Sequence, residues 1–353
     1  MTVSETRRAV LPTLEDVAKA AGVSRATVSR VVNGSPNVSA DFQRAVQDAI
    51  VAVGYVPNRA ARQLITGRSG VIALVMSIVP DPAEDPPAGG RPDRVFGDPF
   101  FGRIVSGVLG FLRPQRLHPL LMLAEDEASR AQVLDQLRQG AADGALVVSI
   151  DPADPLPALL VEAALPAVFF ARPEQPLPVR YVDLAHQDGG RLAAERLLRQ
   201  GRRRAAAIAG PLALHAGRAR LDGFCDAMAR QGVAYVPFTV GNFTQDSGER
   251  AMRELLEREP SLDGVFAAND LMAVGALHAL RDAGRRTPQD VAVIGFDDSA
   301  AATSARPRLT TVRQPVEDMA ACMARLLLEL LDNPDAPPRA VLFEPELVAR
   351  ASG

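Results

Sequence analysis

Residues 25–33 read RATVSRVVN, and their side chains divide by helical phase. At roughly 100° per residue, Thr27, Val28, Val31 and Val32 fall on one side. Arg25, Ala26, Ser29, Arg30 and Asn33 fall on the other. That second face carries two guanidiniums, a hydroxyl, a methyl and a carboxamide. Such groups match base-pair edges: Arg donates to guanine, Asn pairs with adenine, and a small apolar group meets the thymine methyl. A solvated polar face on an ordinary helix has the same composition, so the flanking residues must decide.

The flanks supply a scaffold. Thr13 with Asp16 has the form of a capping box, Asp replacing the usual Glu. Leu14, Val17, Ala18 and Ala21 follow at helical intervals. Gly22 breaks the run, and Ser24 is a good N-cap for the polar-faced helix. The first two helices make a helix-turn-helix, whose second helix fits the major groove by its N-terminal turns. Asn33-Gly34-Ser35-Pro36 is a loop by composition. Ser39 is placed to cap a third helix with Phe42, Val46, Ala49, Ile50 and Val53 inside, ended by Gly54. Residues 59–64 are too short for a helix stable on its own.

The run DVAKAAGVSRATVSRVVNGSPNVS, followed by GYVPNRAARQL, closely resembles the headpiece of the lactose/galactose repressor (LacI) family. The resemblance implies base reading by Arg25, Ala26 and Arg30. It also implies a hinge helix, folded only on DNA, with Leu64 as a minor-groove wedge. A leucine pushed between base steps unstacks and kinks the duplex at a cost of about a few kcal/mol. The candidate DNA contacts are Thr13, Ser24, Arg25, Ala26, Thr27, Ser29, Arg30, Asn33, Asn58, Arg59, Arg62 and Leu64.

Charge is distributed to match. The 353-residue chain has a formal net charge of −3. Its first 66 residues nevertheless hold eight basic against five acidic side chains, leaving the remainder acidic. A basic module on an acidic body suits phosphate contact at one end. Cys225 and Cys322 lie in apolar helical runs without CxxC spacing, which predicts free thiols in a reducing compartment. No apolar run has the length of a membrane span and no signal peptide opens the chain, so a cytoplasmic, nucleoid-associated protein is expected.

From residue 71 onward, strand-like and helix-like runs alternate. Strands are expected at 71–76, 119–124, 145–150, 167–171, 205–209, 264–268 and 291–296. Helices are expected at 103–112, 128–139, 189–200, 246–257 and 271–283. The alternation predicts parallel sheets flanked by helices, in two similar lobes. The domains read as a disordered tail (1–12), the helix-turn-helix headpiece (13–57) and a hinge helix and linker (58–68). A first lobe takes 69–173 and 314–341, and a second takes 174–313 and 342–353. Residues 173–178 are read as one crossing between lobes. Residues 80–97, rich in Pro, Gly and acidic side chains, form a long loop, passive or acting as a lid.

In parallel sheets, ligands lie beyond the carboxyl ends of the strands. Ser149, Asn269-Asp270 and Asp297-Asp298 collect there, with Arg218 and Arg220 at the start of a helix. Carboxylates and amides bind hydroxyls, and Arg clamps oxygens bidentately, so the set suits a small polar ligand.

The family resemblance continues through IAGPLALHAGRARLDGF, FAANDLMAVGAL and VIGFDDSAAATSARPRLTTVRQPVEDMA. It implies the two-lobed fold of periplasmic sugar-binding proteins. It places effector contacts at Arg220, Asn269 and Asp297, with Phe101 and Phe243 stacking on the ligand. An aromatic platform beside carboxylate and Arg fits a saccharide, whose CH faces are apolar. Leu214, Ala216, Ala171, His186 and Gln187 depart from the family pattern and leave the ligand's identity open, a purine being disfavoured. The chain stops soon after Leu347 without a heptad tail, so a homodimer on a near-palindromic DNA operator is expected.

Nothing favours an enzyme. His118, His186, His215 and His278 are scattered without metal-ligand spacing, and no nucleophile elbow or phosphate loop appears. Adjacent Asp297 and Asp298 should diverge at a strand end and not share acid–base work. No cofactor is expected beyond the effector. The reading is a sugar-responsive repressor. The alternatives are a regulator gated by a partner protein or a purine-like ligand, and a solute-binding protein or enzyme with a basic module.

Overall fold

The structure is a computed structural model and describes residues 12–32, 38–55, 67–77, 99–149 and 153–353. It divides into two compact units, residues 1–70 and 71–353. Four readings of the sequence fall outside the described residues: the tail up to residue 11, the loop from Asn33 to Pro36, the hinge with Asn58, Arg59, Arg62 and Leu64, and the loop at 80–97.

The described residues of the first unit form α1 (Leu14–Ala21), α2 (Arg25–Val32) and α3 (Ala40–Val53). The capping box forms as spaced: Asp16 N donates to Thr13 Oγ1, and Thr13 N donates to Asp16 Oδ2 at 2.8 Å. Val17, Val28, Val46, Ala49 and Tyr55 make the core. Two expectations fail here. Ser39 stands at the N-cap of α3 without a side-chain cap bond. Phe42 lies on the apolar stripe but is 51% exposed. The core closes at Val46, and helical phase does not say how far along a helix its partners reach.

The second unit is built twice on one plan. Its first sheet runs β2–β1–β3–β4–β5–β11, all parallel. The strands are β1 (Val71–Ser77), β2 (His118–Ala124), β3 (Gly144–Ser149), β4 (Ala167–Phe170), β5 (Arg180–Leu184) and β11 (Ala340–Phe343). The second sheet runs β7–β6–β8–β9–β10–β12, parallel except for the last strand. Its strands are β6 (Ala205–Ala209), β7 (Phe238–Val240), β8 (Gly264–Ala267), β9 (Ala292–Asp297), β10 (Thr310–Arg313) and β12 (Glu346–Val348). Strand β1 is buried along nearly its whole length, which is why its sequence VIALVMS runs apolar without alternating.

Helices α4 (Pro99–Leu112), α5 (Glu127–Arg138) and α6 (Leu156–Glu162) link the strands of the first lobe. Helices α7 (His186–Arg199), α8 (His215–Arg230), α9 (Gln245–Arg258), α10 (Asp270–Asp282) and α11 (Ala300–Ser304) serve the second. Helix α12 (Val316–Asp332) returns to pack on α4 and on β3, β4 and β5.

The strand pairing moves the lobe boundaries. Residues 173–178 do not cross between lobes: they lead to β5, which pairs with β4 in the same sheet. The crossing follows Leu184, and a later one follows Phe343 instead of residue 341, because β11 pairs with β5. Strand β5 escaped notice because its five residues, RYVDL, include Arg180 and Asp183, both buried. Three prolines just before it suggested a linker.

Candidate functional site

The headpiece presents the face that its spacing predicts. Arg25, Ala26 and Arg30 are exposed, Ser29 and Thr27 half-buried, and Val28 fully buried beneath them. Ser24 caps α2, accepting from Thr27 N at 3.1 Å, and its hydroxyl lies 2.9 Å from that of Thr27. Those hydroxyls hold the helix start, while Thr13 does the same for α1. Arg25 lies 3.8 Å from Glu15, both largely exposed, a pairing weak enough for a phosphate or base to replace.

In the second unit, loops at the carboxyl ends of both sheets enclose a cavity of about 220 Å³. One water needs only about 10–15 Å³ by the same measure, so the space fits a ligand. Phe101, Ser149, Arg220, Phe243, Asn269 and Asp297, from six separate segments, all line it. The structure therefore brings together all six predicted effector residues.

Arg220 is the hub. It is 5% exposed and fixed on several sides. Its Nη1 donates to Ala268 O at 2.6 Å and lies 3.5 Å from Asp297 Oδ1. Its Nη2 donates to Gln314 Oε1 at 3.0 Å, and Nε donates to His186 Nδ1 at 3.3 Å. The guanidinium carbon stands 3.7 Å from the ring centroid of Phe296, a cation–π contact.

The close approach of α7 and α8 sets where Arg220 sits. A Cβ on Gly190 of α7 would overlap the Arg220 carbonyl, so only glycine allows this crossing.

Asn269 caps α10, accepting from Met272 N at 2.9 Å, and its Nδ2 donates to Phe243 O at 2.8 Å. That bond holds Phe243 at φ 65°, in the left-handed region. Gly210 leaves room for the Phe243 ring, which a Cβ there would strike. Asp297 and Asp298 both have positive φ, 104° and 53°. Such strain collects at functional sites. Arg103 holds this turn, donating to Asp297 O at 2.8 Å and to Gln314 O at 3.0 Å while clasping the Glu317 carboxylate at 2.7 Å. The two aspartates part: Asp297 turns to Arg220, and Asp298 turns to Arg313 and Arg350.

The sequence reading missed several lining groups. Phe100 stands edge-on to Phe101 and to Phe170, each pair with centroids 5.4 Å apart. Phe170 ends β4, so the carboxyl-end rule could have flagged it. Two of the four histidines, read as scattered, also meet here. His186 and His215 have ring centroids 6.2 Å apart. Burial, then the neighbouring Arg220, pushes His186 down to about 4 against the pull of Asp183. Its Nδ1 accepts from Arg220, so the neutral ring carries its proton on Nε2, 3.5 Å from Asp183 Oδ1. Ser149 instead bonds Asp154 at 2.7 Å, which orients that carboxylate at the first-lobe wall. Arg218 pairs with Glu174 across the cleft mouth.

Cys225 is half-buried and Cys322 buried, and neither forms a disulfide. Among the described residues no group of three or more His, Cys, Asp or Glu could hold a metal ion. Among them also, no helix is long and apolar enough to cross a membrane.

Residues 13–58 match the family of bacterial regulatory proteins, lacI family, and residues 194–353 match the periplasmic binding protein-like domain. The chain is 44% identical to the HTH-type transcriptional regulator CelR of Thermobifida fusca, over 97% of this chain and 98% of the relative. Among solved structures it resembles the transcriptional regulator CelR–cellobiose complex, with TM-score 0.73 and 42% identity over 97% of this chain and 100% of that one. It also resembles the lac repressor dimer bound to operator and the anti-inducer ONPF, with TM-score 0.80 and 29% identity over 97% and 99% of the two chains.

Proposed function

The chain belongs to the lacI family of bacterial regulatory proteins, a DNA-binding transcriptional regulator, and from that premise we propose that a saccharide bound between its lobes decides whether it holds its operator. The observation that carries this reading is the fixed Arg220–Asp297–Asn269 set lining one cavity with Phe101 and Phe243. Polar groups from both lobes suit sugar hydroxyls, and the rings suit CH faces. A disaccharide of the cellobiose type is the specific proposal, since a relative with 42% identity is named for its complex with that sugar.

On DNA, Arg25, Ala26 and Arg30, with Ser29 and Asn33 on the same face, meet base edges, and Ser24 and Thr27 steady the helix that carries them. Asn58, Arg59 and Arg62 add contacts from the hinge, with Leu64 as the wedge. The working form is a homodimer in the bacterial cytoplasm, acting as a repressor of sugar-use genes. The edge strands β2 and β7 leave Leu121, Phe238 and Val240 exposed, apolar surface that suits a second copy. No catalysis and no cofactor is proposed.

Calorimetry of the full chain against cellobiose, galactose, ribose and hypoxanthine tests the ligand class. Saturable heat with the disaccharide is expected, and heat with hypoxanthine alone would replace a sugar by a purine. No heat with any of them would point to gating by a partner protein. For the DNA side, Leu64→Ala should weaken specific binding far more than non-specific binding in gel-shift titrations. Equal losses would remove the wedge.

A further inference from the structure

We propose that the first lobe carries a second ligand site, which takes a small carboxylic acid with a short apolar tail on the guanidinium of Arg180. A cavity of about 210 Å³ lies between α6, the β4–β5 strands and the end of α12. Leu160, Leu165, Phe169, Val179 and Pro334 give it apolar walls, and Arg180 is the one charged residue among its lining.

Arg180 is 5% exposed. Its Nη1 donates to Leu326 O at 3.4 Å and its Nη2 to Ala336 O at 3.2 Å, both long. Its Nε is buried with no hydrogen-bond partner, and Arg180 forms no ion pair among the described residues. A guanidinium has five N–H donors and keeps its charge when buried, so an unneutralised one is costly. Arg130, Arg196, Arg202 and Arg285 also bury an unpartnered Nε, but Arg130 lies 3.5 Å from the Asp154 carboxylate. The other three are partly exposed, and none of the four lines this cavity. Among the described residues, Arg180 is the buried arginine that lines a cavity without an ion pair, whereas Arg172 at the main cleft is exposed.

A carboxylate matches the planar fork of an arginine, and the apolar walls reward a few carbons of tail. A doubly charged phosphate fits such walls poorly, because most of its oxygens would lose water without gaining donors. The site is separate from the main cleft, although Phe169 lines both cavities.

The test is calorimetry on the full chain with butyrate, benzoate, acetate and inorganic phosphate, with and without saturating cellobiose. Butyrate or benzoate should bind saturably and at least tenfold more tightly than acetate or phosphate, and cellobiose should not displace it. Arg180→Met should lower that affinity tenfold or more. So should Val161→Phe, which adds bulk to the cavity lining from α6 and keeps the guanidinium, and so remains informative if loss of Arg180 harms folding. The proposal is overturned by no saturable binding of either acid, by phosphate binding as tightly, by displacement with cellobiose, or by unchanged affinity in Val161→Phe.

Discussion

Arg220 shows how much one side chain can be asked to do. Its guanidinium is buried, stacked on Phe296 and tied to a strand end, a helix and a crossing segment at once. Removing it takes the guanidinium from beside half-buried Asp297 and strips the buried Gln314 Oε1 and the Ala268 carbonyl of this donor, and a buried acceptor left unsatisfied costs about 1–3 kcal/mol. Arg220→Met is therefore expected to weaken saccharide binding a hundredfold or more, read by calorimetry, with DNA binding retained but deaf to sugar. His186 makes a separate prediction through pH. Its pKa is lowered on folding to about 4, so the unfolded chain binds more protons here as pH falls below about 6.5. The stability from burying the neutral ring is present above that value and is lost as pH falls toward 4. Asp270, raised to about 6 by burial and by Asp298 despite bonds from Thr311 and Ser299, acts with the opposite sign over nearly the same range. Urea midpoints between pH 7 and 5 should fall less in His186→Gln than in the parent, since the replacement removes the first effect and leaves the second. Equal slopes would contradict the neutral, buried histidine.

At the scale of elements, helix crossings decide where the site residues stand. Gly190→Ala drives a methyl into the Arg220 carbonyl, so α7 and α8 must separate. Overpacking of this kind costs typically about 1–3 kcal/mol, and the urea midpoint should drop while saccharide affinity falls with it. A variant with parent stability and affinity would show that the crossing is loose. In the headpiece, Thr13→Ala should cost about 1 kcal/mol of its stability through loss of the cap. These elements were legible in the sequence to different degrees. The helix-turn-helix was written in capping residues and 3.6-residue periodicity, which are local. The strands that end in Ser149 and Asp297, and the one that leads to Asn269, were legible as unbroken apolar runs, because both faces of a parallel sheet are covered. Strand β5 was not, since buried Arg180 and Asp183 imitate a surface turn and the carbonyls that Arg180 meets, those of Leu326 and Ala336, lie far away in sequence. Neither was the meeting of His186 with His215, which the α7–α8 crossing sets, nor that of Arg103 with Asp297, which depends on how the two lobes meet and not on any spacing.

The whole molecule couples a DNA-reading unit to a ligand-holding one. Within the second unit, Arg103 joins α4, which also carries Phe101, to the strained turn at Asp297 and to Glu317 on α12. A ligand that pulls on Asp297 thus acts on the first lobe through one guanidinium. Arg103→Ala should leave saccharide binding within a few-fold of the parent while reducing its effect on DNA affinity, because the remaining Arg220 set still forms the contact surface. Allosteric couplings commonly amount to about 1–3 kcal/mol, roughly 5- to 150-fold in affinity. The decisive measurement is fluorescence anisotropy of a two-fold-symmetric operator, selected from random DNA, titrated with the full chain with and without saturating cellobiose. The account predicts a shift in operator affinity within that range, absent in Arg220→Met. An operator affinity that stays the same while calorimetry shows the sugar bound would contradict it.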